Sequence, residues 1–88
     1  MKIRYDFTVR EIAGECILVP MGAGALEFSG MMTTNDVGAF MVEKLGQDIS
    51  KEELVQAVID EFEIDKATVM VDVEDFLEQL KRMNLLMD

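Results

Sequence analysis

The chain has 88 residues, half of them hydrophobic and 30% charged, with six Gly and one Pro; that length holds one small domain, and the balance suits a packed core over disorder. Eight Lys and Arg against 18 Asp and Glu leave a formal charge of −10, which argues against the phosphate-neutralising surface of a nucleic-acid binder. One Cys and no His remove an internal disulfide and the usual zinc ligand sets.

Ile3, Tyr5, Phe7 and Val9 alternate with polar residues, which predicts a half-buried first strand running toward Ile12. Ala13-Gly14 interrupts it before Glu15-Cys16-Ile17-Leu18-Val19, a second strand joined by a hairpin. Pro20 ends that strand, since it lacks a ladder donor. After Met21-Gly22-Ala23-Gly24, the run Ala25-Leu26-Glu27-Phe28-Ser29 resumes the alternation and predicts a third strand.

The period then becomes helical. Thr33, Thr34 and Asn35 offer helix-start oxygens ahead of Asp36, and Val37, Phe40, Met41 and Leu45 follow at helical spacing up to Gly46. Ser50 and Glu53 have the spacing of a capping box, with Ile49 and Leu54 placed as a hydrophobic staple; Leu54, Val55, Val58, Ile59 and Phe62 form the apolar stripe. An Asp65 cap opens a third and longest helix, with Val69, Val73, Phe76, Leu77 and Leu80 on one face and Glu74, Glu78 and Arg82 opposite, ending near Asn84. Three strands followed by three helices define an α+β domain in which a small antiparallel sheet packs on a helical trio. Gly38 sits inside the first helix at a cost of about 1 kcal/mol relative to Ala, so a close contact there requires its small size.

The acid concentrates toward the C-terminal half. Residues 1–46 carry six acidic and four basic side chains, and residues 47–88 carry twelve and four. The second helix, with Glu52, Glu53, Asp60 and Glu61 against one Lys, repels phosphate where a transcription factor needs a basic recognition helix. The N-terminus lacks an apolar signal core and no run reaches the roughly 18 apolar residues of a membrane span, so a cytoplasmic setting without membrane contact is expected. Cys16 lies in an apolar strand with no His to act as base, which points to burial over nucleophilic chemistry. With no nucleophile-base pair and no metal cluster, no enzymatic activity, cofactor or metal is expected.

Several blocks together carry a family resemblance. Glu11-Ile12-Ala13-Gly14-Glu15, Ile17-Leu18-Val19-Pro20, Thr34-Asn35-Asp36-Val37-Gly38-Ala39-Phe40 and Asp72-Val73-Glu74-Asp75-Phe76-Leu77, followed by Leu80 and Asn84-Leu85-Leu86, make a chain that resembles the PqqD-like family of peptide chaperones, also called RiPP recognition elements. The departures are Met41-Val42 where many relatives have Trp, and Asn84 where many have Gly.

The resemblance implies a winged helix-turn-helix-like domain that binds the leader segment of a ribosomally made precursor peptide and presents it to a modifying enzyme, often a radical SAM maturase. In that mode the leader adds as a strand to the third strand beside the third helix. The implied peptide-binding residues are Leu26, Glu27, Phe28 and Ser29 on the strand, and Asp72, Asp75, Phe76, Gln79 and Met83 along the helix. Phe76 and Leu80 also suit the core, Asp72 and Asp75 also suit a solvated face, and Met31, Met32, Met70 or Met83 suit an adaptable surface. The alternative is a generic protein-interaction or dimerisation module, with a homodimer formed through the strand edge or the Met surface.

Overall fold

Ala13 and Gly14 take φ of 54° and 82°, the positive pair that a two-residue hairpin turn needs to follow the right-handed twist of its strands. In the computed structural model, which describes residues 1–22 and 32–87, this turn joins β2 (Phe7–Ile12) to β3 (Glu15–Pro20), pairing Ile12 with Glu15 and Phe7 with Pro20. A short strand, β4 (Met32–Thr34), pairs antiparallel with the far side of β3, so the sheet order is β2-β3-β4. Helices α1 (Asp36–Lys44), α2 (Lys51–Phe62) and α3 (Lys66–Arg82) follow. A three-stranded antiparallel sheet followed by three helices is therefore the architecture, as the alternation of periods indicates.

Two details differ from the expectation. The first strand is broken: β1 (Lys2–Ile3) pairs with a further strand, β5 (Leu86–Met87), which no alternation in the sequence announces. The backbone N–H groups of Ile3 and Arg4 donate to Leu45 O and Leu85 O at 2.9 and 2.7 Å, so this segment serves the helix ends and leaves the sheet before Phe7. Thr33 and Thr34 belong to β4, and Asn35 alone caps α1, accepting from Gly38 N at 2.9 Å. The expected strand over residues 25–29 lies outside the described residues.

The helix caps follow the sequence signals. Ser50 and Glu53 complete the reciprocal capping box, each bond 3.1 Å. Asp65 accepts from Thr68 N at 3.0 Å and from its hydroxyl at 2.8 Å. Asn84, at φ 58°, takes the left-handed turn after α3, which its short polar side chain tolerates. Among the described residues the core is apolar, with Leu18, Leu45, Leu54, Val58, Val69, Val73, Leu80 and Leu85 nearly or fully buried. The edge-to-face pair of Phe40 and Phe62, centroids 5.4 Å apart, joins α1 to the end of α2.

These caps predict an acid response. Hydrogen bonds from Thr68 hold the Asp65 carboxyl below its ordinary pKa, those from Ser50 do the same for Glu53, and the Met1 ammonium, 2.7 Å away, lowers Asp48. A carboxyl depressed on folding stabilises fully above its unfolded-state pKa, and that share is lost as pH falls through the folded-state value. The melting temperature is expected to fall between about pH 5 and pH 3. Asp65→Asn, which keeps a capping oxygen, is expected to flatten part of that dependence in melts followed by circular dichroism. An unchanged pH profile in this variant would assign the acid response to other carboxyls.

Candidate functional site

Backbone parity decides which part of β4 is available. The residues flanking a two-residue hairpin loop exchange hydrogen bonds, and every second pair along the ladder does the same. The series starting at Ile12 and Glu15 continues to Asp6 and Met21, where Met21 N donates to Asp6 O at 2.9 Å. The odd residues of β3 therefore bond to β2, and the even residues Cys16 and Leu18 bond to their β4 partners Thr34 and Met32. Thr33, between them, turns its N–H and C=O away from β3. Among the described residues β4 has no strand on that outer side.

A cleft of about 280 Å³ lies along this edge. Thr33 and Thr34 form one wall, Val37, Gly38 and Met41 of α1 contribute the second, and α3 supplies the third through Asp72, Asp75, Phe76 and Gln79. Helical spacing explains that third wall, because positions 72, 75, 76 and 79 recur at three and four residues and share a face. Phe76 is only 7% exposed, so one ring belongs to both core and cleft.

Of the residues singled out in the sequence, four on α3 thus meet in one place. Met83 does not join them: it is the exposed C-cap residue of α3, beyond the cleft lining. Met70 is exposed on the first half of α3, also outside the cleft. Leu26, Glu27, Phe28 and Ser29 lie outside the described residues. Thr33, Asn35, Val37 and Met41 also line the cleft and carry no site signal in the sequence; the Thr33-Thr34 pair is legible as β-branched, but its adjacency to a helix start hides its strand character.

Gly38 has the role its cost implies. A Cβ there would stand 1.8 Å from Thr34 Oγ1, 3.0 Å from Thr34 Cβ and 3.3 Å from Phe76 Cε1. The first contact forces the threonine out of its rotamer, and the other two leave an added methyl tight against β4 and the Phe76 ring. Gly38→Ala gains about 1 kcal/mol of helix propensity and incurs about 1–3 kcal/mol of overpacking. Its melting temperature is expected to be no higher than that of the wild type, and Gly38→Ala/Thr34→Ala is expected to be more stable than the sum of the single changes. Additivity in that double-mutant cycle would show that the two positions do not press on each other.

Cys16 is 4% exposed and its thiol lies 3.6 Å from Asp36 Oδ1, where it can donate. Burial raises its pKa, and the bond to Asp36 and the charges of Asp36 and Glu11 add to the rise. The protonated thiol is a poor nucleophile, so alkylation by iodoacetamide at pH 8 is expected to be much slower in the folded protein than in denaturant. Equal rates would mean that the thiolate is accessible. Glu11, Cys16 and Asp36 bring ligand atoms within 4.8 Å of one another; this is the one group of three among the described residues whose side chains could approach a metal ion.

A small sheet with an open edge, flanked by a long helix across an acidic and aromatic cleft, is the fold class that these residues define. The family described as "Coenzyme PQQ synthesis protein D (PqqD)" matches residues 15–86, and the chain belongs to the PqqD family. The structure of TbiB1 in complex with the TbiA(beta) leader peptide is similar over 98% of this chain and 94% of that one, at 29% sequence identity and a TM-score of 0.68. No curated relative matches the chain. Among the described residues no helix is long and apolar enough to cross a membrane.

Proposed function

We propose that this chain binds the leader segment of a ribosomally made precursor peptide, as an added strand on the outer edge of β4, and presents it to a separate peptide-modifying enzyme, a radical SAM maturase, without performing chemistry itself. The observation that carries the reading is the outward-facing backbone of Thr33 beside the cleft wall of α3. Strand addition draws affinity from such unpaired groups and specificity from pockets for alternate side chains. Membership of the PqqD family and the likeness to TbiB1, solved with a leader peptide, support the same reading. Non-catalytic peptide binding is typical of this family.

The test is titration calorimetry with a candidate precursor peptide, paired with amide shifts in NMR spectra and the peptide's mass before and after. Nanomolar to micromolar binding, shifts concentrated at Thr33, Gly38 and Gln79, and an unchanged mass are expected. Absence of binding to any precursor peptide encoded beside a maturase, or a mass change produced by this protein alone, would overturn the proposal.

A further inference from the structure

The four acidic residues of α3 fall into two kinds. Glu74 accepts from Lys51 Nζ at 2.7 Å and Glu78 lies 3.5 Å from Arg82 Nε, one turn along the helix. Asp72 and Asp75, the two that line the cleft, have no cation within ion-pair distance among the described residues, and no Lys or Arg lines the cleft with them. The acids facing away are thus neutralised within the protein, whereas those facing the cleft are left for whatever enters it.

Spacing restricts the entrant further. Side chains on one face of a strand repeat about every 6.6–6.8 Å, and one turn of α3, from Asp72 to Phe76, rises about 6 Å. A strand lying along the helix therefore brings one side chain level with the Phe76 ring and the next on the same face level with Asp72, with Asp75 between the two and within reach of a long side chain. A docked strand also displaces water from the cleft, which strengthens attraction to an opposite charge and repulsion of a like one.

Resting on the leader-binding reading above, we infer that the leader taken by this cleft carries a Lys or Arg two residues from an apolar anchor, the anchor covering Phe76 and the cation pairing with Asp72 and Asp75. An acidic residue at that position is rejected, so the same two carboxylates select one class of peptide and exclude another.

The experiment is selection of 12-residue random peptides by display on three folded proteins: the wild type, Asp72→Asn/Asp75→Asn, and Glu74→Gln/Glu78→Gln, which removes the same charge outside the cleft. The wild type and the Glu74/Glu78 variant are expected to enrich Lys or Arg two positions from an apolar residue, and the Asp72/Asp75 variant to lose that preference. In anisotropy titrations of the selected consensus peptide, Lys→Gln is expected to weaken wild-type binding about two- to fivefold per residue, with less effect at 300 mM salt than at 50 mM. A basic preference that persists in the Asp72/Asp75 variant would assign it to overall charge and overturn the inference. Apolar anchors that shift the Thr33 amide without any basic preference would overturn it too, while leaving leader binding intact. Failure to select any peptide that perturbs Thr33 would remove the leader-binding reading and the inference together.

Discussion

Thr33→Pro is expected to leave the domain folded and weaken leader binding about five- to a hundredfold, whereas Thr34→Pro is expected to destabilise the fold itself. At position 33 proline removes an N–H that points away from β3, so only the added strand loses a donor. A leader carbonyl left unpaired in a covered cleft costs about 1–3 kcal/mol, which is that range of affinity. At position 34 the missing N–H is the one directed at Cys16, and the ladder to β3 is broken inside the protein. Circular dichroism melts separate the two variants and calorimetry measures the binding. Wild-type affinity in folded Thr33→Pro would show that β4 is not the docking edge.

Phe76→Ala is expected to cost about 3–5 kcal/mol of stability, because the ring is almost wholly buried and its removal leaves a cavity in the core cluster it shares with Val73, Leu77 and Leu80. An 88-residue domain holds roughly 4–13 kcal/mol in total, so this variant approaches or passes the unfolding threshold. Phe76→Leu keeps most of the volume and is expected to cost less than about 1.5 kcal/mol, while exchanging the flat ring at the cleft for a branched chain. Chemical denaturation is expected to rank the wild type above Leu and Leu well above Ala, and Phe76→Leu is expected to bind leader several-fold more weakly. If Phe76→Leu binds at full strength, the ring serves the core alone.

The helices were legible because their signals are local. Ser50 with Glu53, Asp65 before Lys66, and Asn84 after α3 each satisfy backbone groups within a few residues, so sequence spacing reveals them. The hairpin was legible for the same reason, through the positive φ that Ala13-Gly14 has to supply. The break between β1 and β2 was not, since the alternation through Tyr5 continues unchanged while the partners of Ile3 and Arg4 come from Leu45 and Leu85. Nothing near Ile3 encodes that distance. The α3 wall of the cleft could be drawn from a helical wheel, but its opposite wall depends on β4 ending at Thr34 and on the space that Gly38 leaves beside it. Outward parity on β4 likewise follows only from a register fixed two strands away, at the hairpin turn.

The pairing of β1 with β5 works as a clasp between segments far apart in sequence. Lys2 and Met87 are cross-strand partners although 85 positions separate them in sequence. A two-residue ribbon is too short to hold by its ladder alone; what secures it is the burial of Ile3 and Leu85, at 4% and 1% exposure. None of these residues lines the cleft. The β1–β5 clasp and the cleft therefore share no residue, so a substitution that opens the clasp acts on the fold without altering any side chain that faces the β4 edge.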